Sequence, residues 1–96
     1  MSSARIHPLA QAEYQAAVRW YADRSIVAAK QFVVEVRRAI SEIEHQPERF
    51  AKVDKTHRIC LVSKYPYYVA FRQNKDSVEI VAIRHASRDQ DTWKIR

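Results

Sequence analysis

His85 is the side chain best suited to proton transfer. An imidazole ordinarily titrates near pH ~6.5, so it can take or give a proton at neutral pH, and it sits in the run Arg84-His85-Ala86-Ser87-Arg88. Guanidinium groups match phosphate and carboxylate oxygens bidentately. Arg58, Arg72, Arg84 and Arg88 are therefore candidate clamps for a polyanion, with His85 as acid or base beside them. Tyr65, Tyr67 and Tyr68 offer ring faces that either stack on bases or pack within a sheet, and Trp93 must pack or bind. Cys60, the single cysteine, lies between Ile59 and Leu61 and reads as a small buried hydrophobe. It supplies neither a disulfide nor a Cys/His zinc set. His7, His45 and His57 lack metal-binding spacing and read as surface residues. With no glycine in the chain, a nucleotide-binding glycine loop is excluded, and neither metal nor cofactor is expected.

These residues need a scaffold, and 96 residues allow one domain over 1–96. A short strand is expected at 4–7. Pro8 then stands where the first turn of a helix tolerates a missing N–H. Leu9, Ala12, Ala16 and Trp20, with Ala17 and Tyr21 alongside, fall at helical spacing and predict a core-facing stripe; Glu13, Arg19 and Asp23 fall off it. Ser25 is a plausible N-cap for a second helix striped by Ala29, Phe32, Val36, Ile40 and Ile43 and stopped by Pro47. So short a link makes the two helices an antiparallel hairpin.

Strands follow at 58–63, 67–73 and 78–85, with turns at 64–66 and 74–76. They read as an antiparallel meander. The fold class is α+β, an N-terminal helical hairpin packed on a small antiparallel sheet in the order β-α-α-β-β-β. Without glycine, any positive φ falls to a residue such as Asn74 or Asp76.

Alternation puts Tyr67, Val69 and Phe71 on one face of the middle strand and Tyr68, Ala70 and Arg72 on the other. The last strand is apolar on both, Val78, Ile80 and Ala82 against Val81 and Ile83. The hairpin can cover one face. The second requires a partner, a fold-back of the segment from Ala86, or partial solvation around Tyr68 and Arg72. Alternation also sends Arg84 and His85 to opposite faces, which leaves Arg88 as the companion of His85, while Arg58 and Arg72 can meet across neighbouring strands.

The charge is uneven. Residues 1–54 carry eight Lys/Arg against seven Asp/Glu, and residues 55–96 carry nine against four, so +5 of the net +6 lies in the second half. That field favours a polyanion, nucleic acid or an acidic protein. No apolar run suits a bilayer span and the first residues lack a signal-peptide pattern, so a cytoplasmic protein without membrane contact is expected.

In order and spacing these pieces resemble the RelE/ParE superfamily of bacterial toxin–antitoxin toxins, and the ParE-like branch most. The resemblance runs through Ala12 and Tyr21, Ala29 and Phe32, Pro47-Glu48-Arg49-Phe50, Arg58, Tyr65-Pro66-Tyr67-Tyr68-Val69-Ala70-Phe71-Arg72, Val78-Glu79-Ile80-Val81-Ala82-Ile83-Arg84-His85, and the tail from Arg88 to Trp93. It implies the toxin of a type II, plasmid-stabilisation-type pair. Such a toxin arrests growth by binding a macromolecular target, DNA gyrase in the ParE-like branch, and is neutralised by a cognate acidic antitoxin in a hetero-oligomer. The antitoxin's C-terminal segment would wrap the toxin.

The RelE-like alternative is a metal-independent endoribonuclease cutting messenger RNA on the ribosome. That reaction needs a base for the 2′-OH, a cation for the developing phosphorane charge and an acid for the leaving oxygen. His85 with Arg58, Arg72 and Arg88 would have to fill those roles. Tyr68 stands where the ribonucleases place an arginine, and their C-terminal tyrosine has no match, with Trp93 nearby. As contacts for target or antitoxin the resemblance implies Tyr68, Arg72, Arg84, His85, Arg88 and Trp93. A non-toxic binding module derived from the same fold is the third reading.

Overall fold

A computed structural model describes residues 3–88 and 91–96. Strand β1 (Ser3–Ile6) leads into α1 (Pro8–Ala22) and α2 (Ile26–His45). A 3-10 turn (Pro47–Arg49) follows, then β2 (Ala51–Lys52), β3 (His57–Leu61), β4 (Tyr67–Asn74), β5 (Ser77–His85) and a last 3-10 turn (Asp91–Trp93). The five strands form one sheet in the order β1-β5-β4-β3-β2. The expected hairpin and meander are present, yet the sheet is mixed rather than wholly antiparallel, because β1 returns through the helices to run parallel to β5.

Both helices start on local signals. Pro8 occupies the first turn of α1 and His7 Nδ1 accepts from the Leu9 N–H at 3.1 Å; at α2, Ser25 Oγ accepts from the Ala28 N–H at 3.2 Å. The α2 stripe is buried as expected through Ala29, Phe32, Val36, Ala39 and Ile43. The α1 stripe is corrected. Ala10 and Ala17 are buried, with Tyr14, Val18 and Tyr21 packed against the core, whereas Leu9 and Trp20 are half exposed. The helix carries apolar residues on two sides, and the side holding the tyrosines faces inward because their rings have partners there. Tyr21 meets Phe32 at 5.1 Å, Tyr65 at 5.1 Å and Tyr67 at 6.2 Å between ring centroids.

The first core layer joins these helices to Val69, Phe71, Val78, Ile80 and Ile83. Strict alternation separates Ile83 from Val78 and Ile80. Between Ala70 and Phe71 the β4–β5 register shifts, with Ala70 opposite Ala82 but Phe71 opposite Ile80, so Val81 is the extra residue of a bulge. The bulge turns Val78, Ile80 and Ile83 to the helices and leaves Val81 and Ala82 on the other side. The positive φ is also placed differently: among the described residues it is Lys64 (71°), in the β3–β4 turn, and not Asn74 or Asp76.

The second sheet face is covered by the chain's own tail. Trp93 is fully buried against Tyr68, Ala70, Val81 and Ala82, and its Nε1–H donates to Tyr68 Oη at 2.9 Å. Of the three covers open to this face, a partner, partial solvation or a fold-back of the tail, the structure takes the fold-back. Tyr68 and Trp93, expected at a contact surface, are instead core residues.

His57 corrects another reading, since it is buried and not on the surface. Its Nδ1 lies 3.0 Å from both Asp54 carboxylate oxygens and its ring meets Trp93 edge-on at 5.2 Å. Burial alone would raise the Asp54 carboxyl. The N–H groups of Thr56 (2.8 Å) and His57 (2.7 Å) and the imidazole outweigh that and hold it at about 2, below the ordinary 3.8. A depressed folded-state value means the stabilisation is complete above about 3.8 and lost as pH falls through about 2. Chemical denaturation of wild type and Asp54→Asn from pH 6 downward is therefore expected to show wild type more stable, with the gap closing between about pH 4 and 2. A gap constant with pH would show that ionisation of Asp54 does not contribute to stability.

Candidate functional site

The site grows from the place where β1 stops. Its last ladder contact is the His7 N–H donating to Ile80 O at 2.9 Å, so β5 beyond Ile80 has no neighbouring strand on that side. Side chains take over the edge. Glu13, from α1, accepts the Ile83 N–H at 3.1 Å, and Arg96, from the tail, donates to Val81 O at 2.8 Å. Glu13 also accepts from Arg96 at 2.8 and 2.9 Å and lies 3.3 Å from Arg84 Nε, while Arg84 donates to Thr92 Oγ1. One carboxylate thus links helix, strand edge and tail.

Above this clasp a cleft of about 550 Å³ runs between α1 and the ends of β4 and β5. Ala16, Ala17, Tyr21, Pro66 and Ile83 form an apolar floor. One lip is Trp20, which carries Arg24 stacked 3.6 Å from its ring centroid. The other lip holds Tyr67, His85, Ser87 and Arg88. Arg88 is exposed, and burial pushes the Tyr67 phenol up despite that nearby cation. The only acid in the lining among the described residues is Glu13, already engaged by two arginines.

His85 has a defined tautomer. The backbone N–H of Ser87 donates to His85 Nδ1 at 3.1 Å, and Ser87 Oγ lies 2.8 Å from the same nitrogen. In the neutral imidazole Nδ1 is thereby the acceptor and the proton sits on Nε2. The ring packs edge-on against Tyr67 at 5.3 Å. With Nδ1 occupied by Ser87, the ring offers an Nε2–H donor, which can hold an anionic oxygen or pass a proton to one.

The structure brings Arg84, His85 and Arg88 to this cleft although Arg84 and His85 pair with Tyr68 and Tyr67 on opposite faces, because the cleft lies at the sheet edge, where both sides are reachable. Arg58 and Arg72 lie elsewhere and do not meet. The register sets Arg72 opposite His57 and Arg58 opposite Phe71, on opposite faces. Arg58 donates to Phe50 O at 2.6 Å and Glu48 O at 3.2 Å, and Arg72 forks onto Glu79 at 2.9 and 2.5 Å with Nη1 3.4 Å from His57 Nε2. Both arginines bind their own chain. Cys60 is buried as expected, and burial pushes its thiol up to about 11.

Trp20, expected in the core with a partner anchor as its alternative, stands half exposed on the cleft, and Glu13, expected only to fall off the stripe, closes the β5 edge. The signal for Trp20 was present as a second apolar side on α1. Nothing local marked Glu13, whose role depends on where β1 ends. Among the described residues no His/Cys/Asp/Glu group is placed to hold a metal, and no helix is long and apolar enough to cross a membrane.

No curated protein matches the chain. A solved structure from the chromosomal ParDE toxin–antitoxin system of P. aeruginosa superposes with a TM-score of 0.77 at 17% identity, covering 88% of this chain and 96% of that one. This likeness establishes the fold. Residues 4–90 match the family described as the ParE toxin of the type II toxin–antitoxin system parDE. With that match spanning the helical hairpin, the sheet and both lips of the cleft, the chain belongs to the ParE toxin family.

Proposed function

We propose that the chain arrests bacterial growth by binding DNA gyrase in the cytoplasm, and that an acidic antitoxin encoded beside it, as in plasmid-stabilisation pairs, keeps it inactive by seating a peptide segment in the α1/β5 cleft. The observation that supports this reading is the pairing of an open apolar floor with a cationic lip. Trp20 is 50% exposed and leads into Ala16, Tyr21 and Ile83, while Arg88 and the Nε2–H of His85 stand opposite. A peptide with a bulky apolar side chain next to a carboxylate satisfies both halves at once. Catalytic use of the same residues has less support, since Arg58 and Arg72 are committed to their own chain away from His85.

Expression alone should arrest growth and raise an SOS-type DNA-damage response, and co-expression of the neighbouring small acidic protein should restore growth. Trp20→Ala and Arg88→Glu are each expected to weaken the antitoxin complex by about 30-fold, the loss of one central contact of roughly 2 kcal/mol, as measured by calorimetry. Rapid transcript loss without a DNA-damage response, abolished by His85→Ala, would favour the ribonuclease instead. Unimpaired growth on expression of the chain alone would leave a non-toxic binding module.

A further inference from the structure

We propose that the outward face of α2 is a second docking surface, the one that engages the toxin's target, and that its partner is an acidic protein surface with an apolar centre. Val27, Lys30, Val34, Arg37, Arg38 and Ser41 lie on the side of α2 opposite its buried stripe of Ala29, Phe32, Val36, Ala39 and Ile43. Val27 is 69% exposed and Val34 is 50% exposed. A β-branched residue on a solvated helix face loses rotamer freedom and gains no burial in return. These two valines, one above the other at a seven-residue spacing, leave much of their apolar surface to solvent.

Two of the cations on this face, Lys30 and Arg37, are likewise uncommitted to the helix, while Arg38 is paired with Glu35. Acidic residues three or four positions away would stabilise Lys30 and Arg37. Those positions hold Ile26, Val27, Val33 and Val34 around Lys30, and Val33, Val34, Ile40 and Ser41 around Arg37. The nearest acid, Glu35, is buried and bound to Arg38 at 2.9 Å. The result is an apolar strip bordered by cations, which a partner with carboxylates around an apolar centre complements. A nucleic acid would use the cations but gain nothing from the valines. A bilayer surface favours bulky aromatic or leucine side chains, and this strip has none.

No α2 residue lines the α1/β5 cleft, so an antitoxin segment in the cleft and a target on α2 occupy different surfaces. The inference rests on the toxin reading above, and its test separates the two. Val27→Ala/Val34→Ala raises helix propensity, so loss of function in that variant is not loss of fold; Lys30→Glu/Arg37→Glu tests the charges. Both double variants are expected to lose growth arrest and to bind purified DNA gyrase at least 10-fold more weakly, with antitoxin affinity within 2-fold of wild type. Full arrest by Val27→Ala/Val34→Ala in cells where wild type arrests would overturn the α2 surface and leave the toxin reading standing. Loss only in the charge variant would also overturn it, in favour of a nucleic acid. If antitoxin affinity falls along with arrest, the face belongs to the antitoxin and the inference is wrong. Arrest without gyrase binding would remove gyrase as the target and leave the growth assay to decide. No arrest by wild type would remove the toxin reading itself and this inference with it.

Discussion

Trp93→Ala is expected to destabilise the fold by about 3–5 kcal/mol, the usual cost of emptying a large buried aromatic site. The indole is fully buried, covers Tyr68, Ala70, Val81 and Ala82, and meets His57 edge-on. Its removal exposes the second sheet face and leaves the Tyr68 hydroxyl without the Nε1–H donor 2.9 Å away. Trp93→Phe keeps most of the apolar contact and loses that hydrogen bond, so it should cost less, on the order of 1–2 kcal/mol. Urea denaturation followed by circular dichroism measures both. Equal, small losses in the two variants would mean the tail contributes little and the sheet tolerates an open face. The stretch matched to the ParE family ends at residue 90, so this anchor lies beyond it.

A second large effect is expected at Glu13. Glu13→Ala removes the acceptor for the Ile83 N–H and for Arg96, and the carboxylate beside Arg84, leaving a strand-edge donor without its acceptor and two partly buried guanidinium groups without their counter-charge. Because the carboxylate keeps about a fifth of its surface in contact with solvent, the expected loss is roughly 2–3 kcal/mol rather than the full cost of breaking a buried pair. Arg96→Ala breaks one arm of the clasp and the Val81 O contact. A double-mutant cycle between Glu13 and Arg96 should return a coupling of about 1 kcal/mol. Strict additivity would show that helix and tail grip β5 independently. Since Glu13 also walls the cleft, Glu13→Ala is expected to weaken antitoxin binding more than Arg96→Ala does.

Much of the architecture was written in local chemistry. Ser25 caps α2, Pro8 opens α1, Pro47 ends the second helix, and the apolar stripe of α2 is legible because Ala29, Phe32, Val36 and Ile43 recur at helical spacing. Four of the five strands were legible to within a residue or two; the two-residue β2 was not, since Ala51 and Lys52 are exposed and carry no periodicity. His85 and Arg88 were legible as companions because they lie three positions apart, whereas strict alternation set Arg84 on the opposite face and only the sheet edge brings it to the same cleft.

The composition and order of the chain determined a helical hairpin on a sheet, a basic C-terminal half and the residues of one cleft lip, since propensity, capping and local spacing act over a few residues. Tertiary structure decided which side of α1 faces inward, where the β4–β5 bulge flips the core face, that His57 and Trp93 close the second face, and that Glu13 finishes the edge left by a short β1. Each of those outcomes turns on contacts between segments tens of residues apart. Local periodicity is blind to them, because the energies that choose among equally apolar faces exist only once the partner surfaces have met.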